Sequence, residues 1–344
     1  MHQILNTLYV TTEPSYLHLD HDTLRVEVNG ETKLQVPLQH LGAIVCFGDV
    51  LVSPALLRRC GEEGRSLVYL ARNGHFVARV EGPTSGNVLL RREQYLASGD
   101  ASRALAIARN IVGGKIQNAR QVVLRAAREA DKQEDTELLD GASREQAAVL
   151  ARLEHAADID GVRGLEGEAA RAYFAVFDRM VREDRETFRM QGRSRRPPLD
   201  PMNAILSFLY TLLVGDCVAG AEGVGLDPQV GFLHMLRPGR PALGLDLMEE
   251  LRAPLADRLA LTLINRQQIR KDDFEQKPGG AIHLKDDARK TVVVAYQKRK
   301  QDEVPHETLE QKIPFGTVPH VQARLLARHL RGDLRAYPPF LYGG

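Results

Sequence analysis

The sequence predicts an α+β protein with a small β-rich N-terminal domain and a larger, mostly α-helical domain after it. Three observations carry this. A length of 344 residues exceeds what one small core organises and points to two domains. The residues before Gly82 alternate polar and apolar side chains with the period of half-buried strands. Near Gly82-Pro83 this gives way to apolar residues at helical spacings, so the division is set at 1–84 and 85–344.

The elements follow in order. Leu5, Tyr9 and Val10 sit in a first apolar strand. Thr23 to Val28 alternates cleanly, Asn29-Gly30 is a hairpin turn, and Lys33 to Leu38 resumes the alternation. Ala43 to Phe47 is a short, fully apolar strand. Ser53-Pro54 opens a helix that runs to about Cys60, with Ser as cap and Pro at the first helical position. Residues 66–70 and 76–80 flank Asn73-Gly74 as a second hairpin. From Asn87 onward, Leu89, Leu90, Tyr95, Leu105, Ile107 and Ile111 recur at helical spacings, with Gly113-Gly114 expected to break or kink the helix. Further helices are expected over residues 115–130, 144–157, 168–180, 201–214, 247–265 and 318–330. Residues 291–296 are ambiguous between strand and helix, and the basic, Pro-containing stretch 191–198 reads as an exposed loop.

Composition narrows the class. Hydrophobic residues make up 43% and charged residues 26%, as in a globular domain rather than a disordered chain. Lys plus Arg number 46 against 45 Asp plus Glu, a net charge of +1 that neither announces nor excludes a nucleic-acid partner, because binding needs a local basic face. Cys46, Cys60 and Cys217 form no CxxC pair, which removes support for a zinc ribbon or a disulfide framework and fits a reducing, cytoplasmic setting. The N-terminus carries no basic-then-apolar leader, and the apolar stretch 204–214 is short for a bilayer, so it reads as a buried helix and no membrane partner is expected.

Several familiar motifs fail. Gly113-Gly114-Lys115 faintly resembles a phosphate loop, but Arg109 stands where the first Gly belongs and Ile116 where Ser or Thr belongs. The glycines of 220–225 lack the dinucleotide fingerprint because Glu222 takes the middle position, and neither HExxH nor GxSxG occurs.

Three places combine an ionisable group with Gly or Pro in an apolar setting. Glu166 lies between Gly164 and Gly167 at the expected mouth of a helix. His234 ends the apolar, Gly-containing stretch from Gly225. Asp246 and Glu249 are three apart, on one face of a helix, with Asp246 suited to cap it. Two carboxylates and an imidazole could hold Mg²⁺ or Mn²⁺, and such a metal can polarise a phosphodiester. The same residues also suit a helix cap, a packed histidine and a solvated acidic pair.

At these residues the sequence resembles the universal CRISPR integrase-endonuclease family over essentially its whole length. The carrying segments are Leu5-Asn6-Thr7-Leu8-Tyr9-Val10, Ser85-Gly86-Asn87-Val88-Leu89-Leu90-Arg91, Gly164 to Phe174, Pro197 to Ala204, Gly225 to His234 and Leu245 to Arg252. The N-terminal strings look most like the type I-C branch. The resemblance implies a β-rich dimerisation domain, a helical metal-dependent catalytic domain, a homodimer, and assembly with a small ferredoxin-like CRISPR adaptation subunit. It implies that double-stranded DNA is the substrate: short foreign DNA is captured, and its 3′-OH attacks a phosphodiester of the CRISPR array by transesterification. With water as nucleophile the site acts as an endonuclease. It maps the metal ligands, Mg²⁺ or Mn²⁺, to Glu166, His234 and Glu249, with Asp246 in a supporting position.

Other residues in or beside these segments are weighed by chemistry. Tyr173 and Tyr210 suit core aromatics with tethered hydroxyls. Asn203 and Lys115 adjoin matching segments, and Arg252 either pairs with Glu249 or reaches a phosphate. Arg189, Arg193, Arg195, Arg196, Arg258, Arg266 and Arg270 are candidate DNA contacts. A recombinase with a Tyr nucleophile and a non-catalytic DNA-binding scaffold are the competing readings; neither requires the three-ligand set.

Overall fold

The structure, a computed structural model, describes residues 6–72, 76–80, 82, 88–190, 192–194 and 197–343. Leu5, the Asn73-Gly74 turn, Pro83, the Ser85-Gly86-Asn87 string and Arg195 and Arg196 lie outside the described residues. The chain divides into two compact units, Met1–Ser85 and Gly86–Gly344.

The first unit holds two four-stranded sheets. One is ordered β1-β5-β7-β8, from β1 (Asn6–Val10), β5 (Leu41–Phe47), β7 (Ser66–Leu70) and β8 (Phe76–Val80). The first three run parallel and β8 returns antiparallel. The other is ordered β4-β3-β2-β6, from β2 (Ser15–Asp20), β3 (Thr23–Val28), β4 (Glu31–Pro37) and β6 (Val50–Val52). Asn29 and Gly30 both adopt positive φ, 53° and 80°, as a two-residue hairpin that matches strand twist requires. Helix α1 (Pro54–Glu62) starts where Ser53 accepts a hydrogen bond from the Leu56 N–H. Leu17, Leu24, Ile44, Leu56 and Leu67 form the centre of this unit's core.

The second unit is mostly helical: α2 (Val88–Gly99), α3 (Ala101–Arg128), α4 (Gln133–Leu153), α5 (Ile159–Ala175), α6 (Pro201–Gly223), α7 (Ala242–Glu249), α8 (Arg258–Asn265), α9 (Asp286–Gln301) and α10 (Val318–Leu330). Two short hairpins, β9–β10 (Phe274–Gln276, Ile282–Leu284) and β11–β12 (Glu303–His306, Gln311–Pro314), interrupt it. Helices α3, α4 and α5 pack together, and α6 packs against α7 and α10. Helix α6 is long and apolar enough to cross a membrane, yet most of it is covered, with Leu206, Leu209, Leu213 and Cys217 fully buried.

Three expectations are corrected and one open reading is resolved. Gly113-Gly114 does not break α3, which continues through it: a Cβ on Gly114 would stand 2.7 Å from Pro339 Cβ, so smallness serves packing there. Helix α5 begins nine residues before the expected Glu168, because Asp158 accepts the Gly161 N–H and caps it. The expected helix over 247–265 is split by a π-helical turn, Arg252–Asp257, that contains Pro254, which has no N–H to give. Residues 291–296 are helical, inside α9, despite their β-branched run.

Candidate active site

The site is built where α3, α5 and α7 approach one another inside the helical unit. Glu166 is not at a helix mouth, as the flanking glycines suggest, but well inside α5. Lys115 projects from α3, and its ammonium pairs with Glu166 Oε1 and stands 2.7 Å from Glu249 Oε2. Glu249 closes α7, and its other oxygen lies 2.9 Å from Arg252 Nη2 and 3.6 Å from His234 Nε2. One cationic position thus has two carboxylates on it, with an imidazole facing the second.

Asp246 caps nothing on its own helix, since α7 starts after Pro241. It sits one turn before Glu249, fully buried. Its carboxylate accepts the backbone N–H groups of Phe232 (2.6 Å), Leu233 (3.0 Å) and His234 (3.0 Å). Its Oδ1 also lies 2.6 Å from His234 Nδ1. With Nδ1 engaged, Nε2 is the ring nitrogen turned toward Glu249. Gly231 makes this approach possible: a Cβ there would stand 2.6 Å from Asp246 Oδ2 and 2.8 Å from the Ala242 carbonyl carbon. From α5, Arg163 clamps the same segment, donating to the Leu233 carbonyl through Nε at 2.9 Å and Nη2 at 2.6 Å. Arg163 and Glu166 lie one turn apart on α5, so one helix face both anchors the histidine segment and supplies a carboxylate.

The electrostatics follow from burial. Burial pushes the Glu249 carboxyl up, but the charges of Arg252, Lys115 and His234 outweigh it and hold the group well below the ordinary carboxylate range. Behind the site, Asp257 accepts hydrogen bonds from Tyr210 Oη (2.7 Å) and Tyr173 Oη (3.1 Å), and all three are buried. Burial lifts the Asp257 carboxyl to about 6, and the two hydroxyls with Arg193 and Arg252 only partly offset it. The guanidinium groups of Arg193 (5.1 Å) and Arg252 (4.9 Å) both lie over the Tyr210 ring. On the other side, Glu250 accepts from Tyr337 Oη, Gln322 Nε2 and the Phe340 N–H, tying the C-terminal segment under α7. Burial, only partly offset by these three donors, raises Glu250 to about 8.

The donor set suits a hard divalent cation: two carboxylates, an imidazole nitrogen with its other nitrogen already oriented, and a buried Glu249 Oε2 that already faces a cation, the Lys115 ammonium. Among the described residues no three His, Cys, Asp or Glu side chains are gathered closely enough to form a finished cage. Lys115 joins Glu166 to Glu249, and His234 meets Glu249 at its other oxygen.

Most of the remaining candidates take structural partners. Asn203 is fully buried, and its amide ties Arg193, the Ser194 N–H, the Gly192 carbonyl and the Asp200 carboxylate together. Arg258 bonds the Tyr342 hydroxyl and stacks on its ring. Arg266 and Arg270 are exposed at and beyond the end of α8. Lys115, Arg163 and Asp257 are the residues whose place in the site the linear sequence least revealed.

A family model described as CRISPR associated protein Cas1 matches residues 8–298. The chain belongs to the Cas1 family. Among its relatives is CRISPR-associated endonuclease Cas1 1 of Moorella thermoacetica, 59% identical over 342 residues that span 99% of this chain and 100% of the relative. The Cas1 fold recurs in a casposase bound to integration product, with TM-score 0.85, 21% identity, and coverage of 98% of this chain and 94% of that one. It recurs again in a Cas6-RT-Cas1–Cas2 complex, with TM-score 0.83 and 24% identity, where this chain covers 36% of a longer partner in the comparison. The β-rich first unit and helical second unit are therefore the architecture of a Cas1 protein.

Proposed function

We propose that this chain is a metal-dependent DNA endonuclease and integrase of CRISPR adaptation. The observation that carries the reading is the single cationic position between Glu166 and Glu249, with His234 Nε2 facing the other oxygen of Glu249. Glu166, His234 and Glu249 would hold Mg²⁺ or Mn²⁺, displacing the Lys115 ammonium. Such an ion supplies polarisation of a phosphodiester and stabilisation of the charge that builds on its oxygens. Asp246 fixes the histidine ring, and Arg252 stands beside Glu249, where a phosphate oxygen entering the site can accept from it. A DNA 3′-OH attacking the phosphodiester gives strand transfer, one P–O bond forming as another breaks, with the leaving strand taking the proton. Water in place of the 3′-OH gives cutting.

The relative's name, endonuclease, supports phosphodiester chemistry, and the Cas1–Cas2 complex named above is consistent with a partner subunit. A homodimer with a small ferredoxin-like subunit, acting on double-stranded DNA in the cytoplasm, belongs to the same proposal. A Tyr nucleophile is disfavoured at Tyr173 and Tyr210, because both are buried with hydroxyls committed to Asp257. The test is to incubate the pure chain with a short duplex bearing free 3′-OH ends, supercoiled plasmid and Mn²⁺. Nicked plasmid and covalently joined product are expected, both abolished by chelator. Binding without either product would leave a non-catalytic scaffold, and a protein–DNA adduct a Tyr recombinase.

A further inference from the structure

Beyond His234 the chain forms a loop unlike the rest of the site's surroundings. Its base is rigid. Three consecutive N–H groups ending at His234 are held by Asp246, and the Leu233 carbonyl is clamped twice by Arg163. The loop closes with the Arg240 N–H on the Arg237 carbonyl at 3.0 Å, after Gly239 turns with φ +72°. Between these anchors residues 235–239 all face solvent, with Met235 55% and Leu236 57% exposed. Two large apolar side chains are thus held in water directly beside a histidine that faces Glu249, with the exposed Arg237 next in line.

Resting on the phosphodiester chemistry proposed above, we propose that Met235 and Leu236 are an apolar wedge that inserts into duplex DNA at the base step flanking the phosphodiester presented to His234. Distances favour it: successive Cα atoms are about 3.8 Å apart and base pairs rise about 3.4 Å, so a phosphate at His234 brings its neighbouring bases to the next two residues. Side-chain type favours it, since Met and Leu are among the residues that enter base steps and unstack them. Arg237 meets the adjacent backbone charge. Two side chains are too little surface for a stable protein interface, which buries roughly 800 Å² per partner, so DNA is the occupant the loop fits. Unstacking opens the backbone at the step where the incoming 3′-OH must align.

The full-length chain is mixed with a branched duplex carrying 2-aminopurine on either side of the branch, in chelator, so that binding is read without chemistry. Wild type is expected to bind and to raise 2-aminopurine fluorescence. Met235→Ser/Leu236→Ser is expected to bind with little brightening and, once Mn²⁺ is added, to join strands about tenfold more slowly, an unstacking share of the barrier. Its melting temperature should match wild type; if it does not, Leu236→Ser alone carries the comparison. Arg237→Ala should weaken binding and flatten its salt dependence while bound complexes still brighten. A double variant that brightens and joins like wild type overturns the wedge, as does wild type that binds without brightening or does not bind at all. If wild type brightens and the double variant does not, but wild type neither cuts nor joins in Mn²⁺, the catalytic reading fails and the wedge stands.

Discussion

His234 and Asp246 are joined twice: Asp246 Oδ1 lies 2.6 Å from the ring Nδ1 of His234 and accepts the backbone N–H of the same residue at 3.0 Å. One buried carboxylate therefore fixes both the position and the ring orientation of the histidine. Asp246→Ala is expected to slow Mn²⁺-dependent cutting by about 10–100-fold, as loss of an orienting partner does. It should also cost about 3 kcal/mol of stability, because three N–H groups, two of them buried, lose their acceptor. Asp246→Asn keeps a shape-matched acceptor and should recover part of the stability but less of the activity. Equal activity in wild type and Asp246→Ala, measured by plasmid nicking, would show that the histidine needs no such support.

Glu166→Ala, His234→Ala and Glu249→Ala should each abolish cutting and joining while leaving much of the DNA affinity, which basic contacts supply. A readout independent of activity is the melting temperature. Mn²⁺ should raise it in wild type, by about 2.7 kcal/mol of stabilisation at a hundredfold excess over Kd, and fail to raise it in the three variants. A Mn²⁺ shift that survives all three substitutions would place the metal elsewhere.

How much of this was legible in the sequence depends on what glycine was saying. Asn29-Gly30 read correctly as a turn because both residues do take positive φ. Gly164 and Gly167 read as helix boundaries, but the cap is Asp158, and the glycines sit inside α5 with no Cβ contact waiting at either. Gly114 and Gly231 are close-approach residues, a demand set by Pro339 and by Asp246 and Ala242, which are distant or folded back in the chain. Glu166, His234, Asp246 and Glu249 stand in the motif strings that carry the resemblance, and the fold brings His234, Asp246 and Glu249 together. Lys115 was not legible, since its role exists only once α3, α5 and α7 converge, and Asp257 sits in a π-helical turn that no periodicity announces.

Asp257 makes a pH prediction. Burial, only partly offset by its tyrosine and arginine neighbours, raises its folded-state value to about 6 from an ordinary 3.8. A group whose folded value is raised contributes stability fully below 3.8 and loses it as pH climbs through 6. The shift amounts to about 3 kcal/mol across that window. Asp257→Asn, permanently neutral, should lack this slope. Measured between pH 4 and 7, the melting temperature of wild type should fall relative to the variant by about 5–10 °C. Parallel curves would mean that Asp257 is already ionised throughout.

Lys115 supplies the sharpest test of the metal reading, because it makes two effects of opposite sign. Its ammonium pairs with Glu166 and stands 2.7 Å from Glu249 Oε2, so it neutralises the two carboxylates when no other cation does. Lys115→Met keeps the length of the side chain and removes the charge. In chelator the variant should be destabilised by about 3–5 kcal/mol, since Glu249 is left buried with only Arg252 and the His234 ring close by. For Mn²⁺ the same change removes a competitor. A unit charge about 4 Å away is worth about 4 kcal/mol at an effective dielectric of 20, and even a fraction of that exceeds tenfold in affinity. Calorimetric titration should therefore find Mn²⁺ bound at least tenfold more tightly by Lys115→Met than by wild type, with a larger Mn²⁺-induced rise in melting temperature. Weaker Mn²⁺ binding by the variant would mean that the metal and the ammonium do not compete, and that Glu166 and Glu249 form an ion-pair network rather than a metal site.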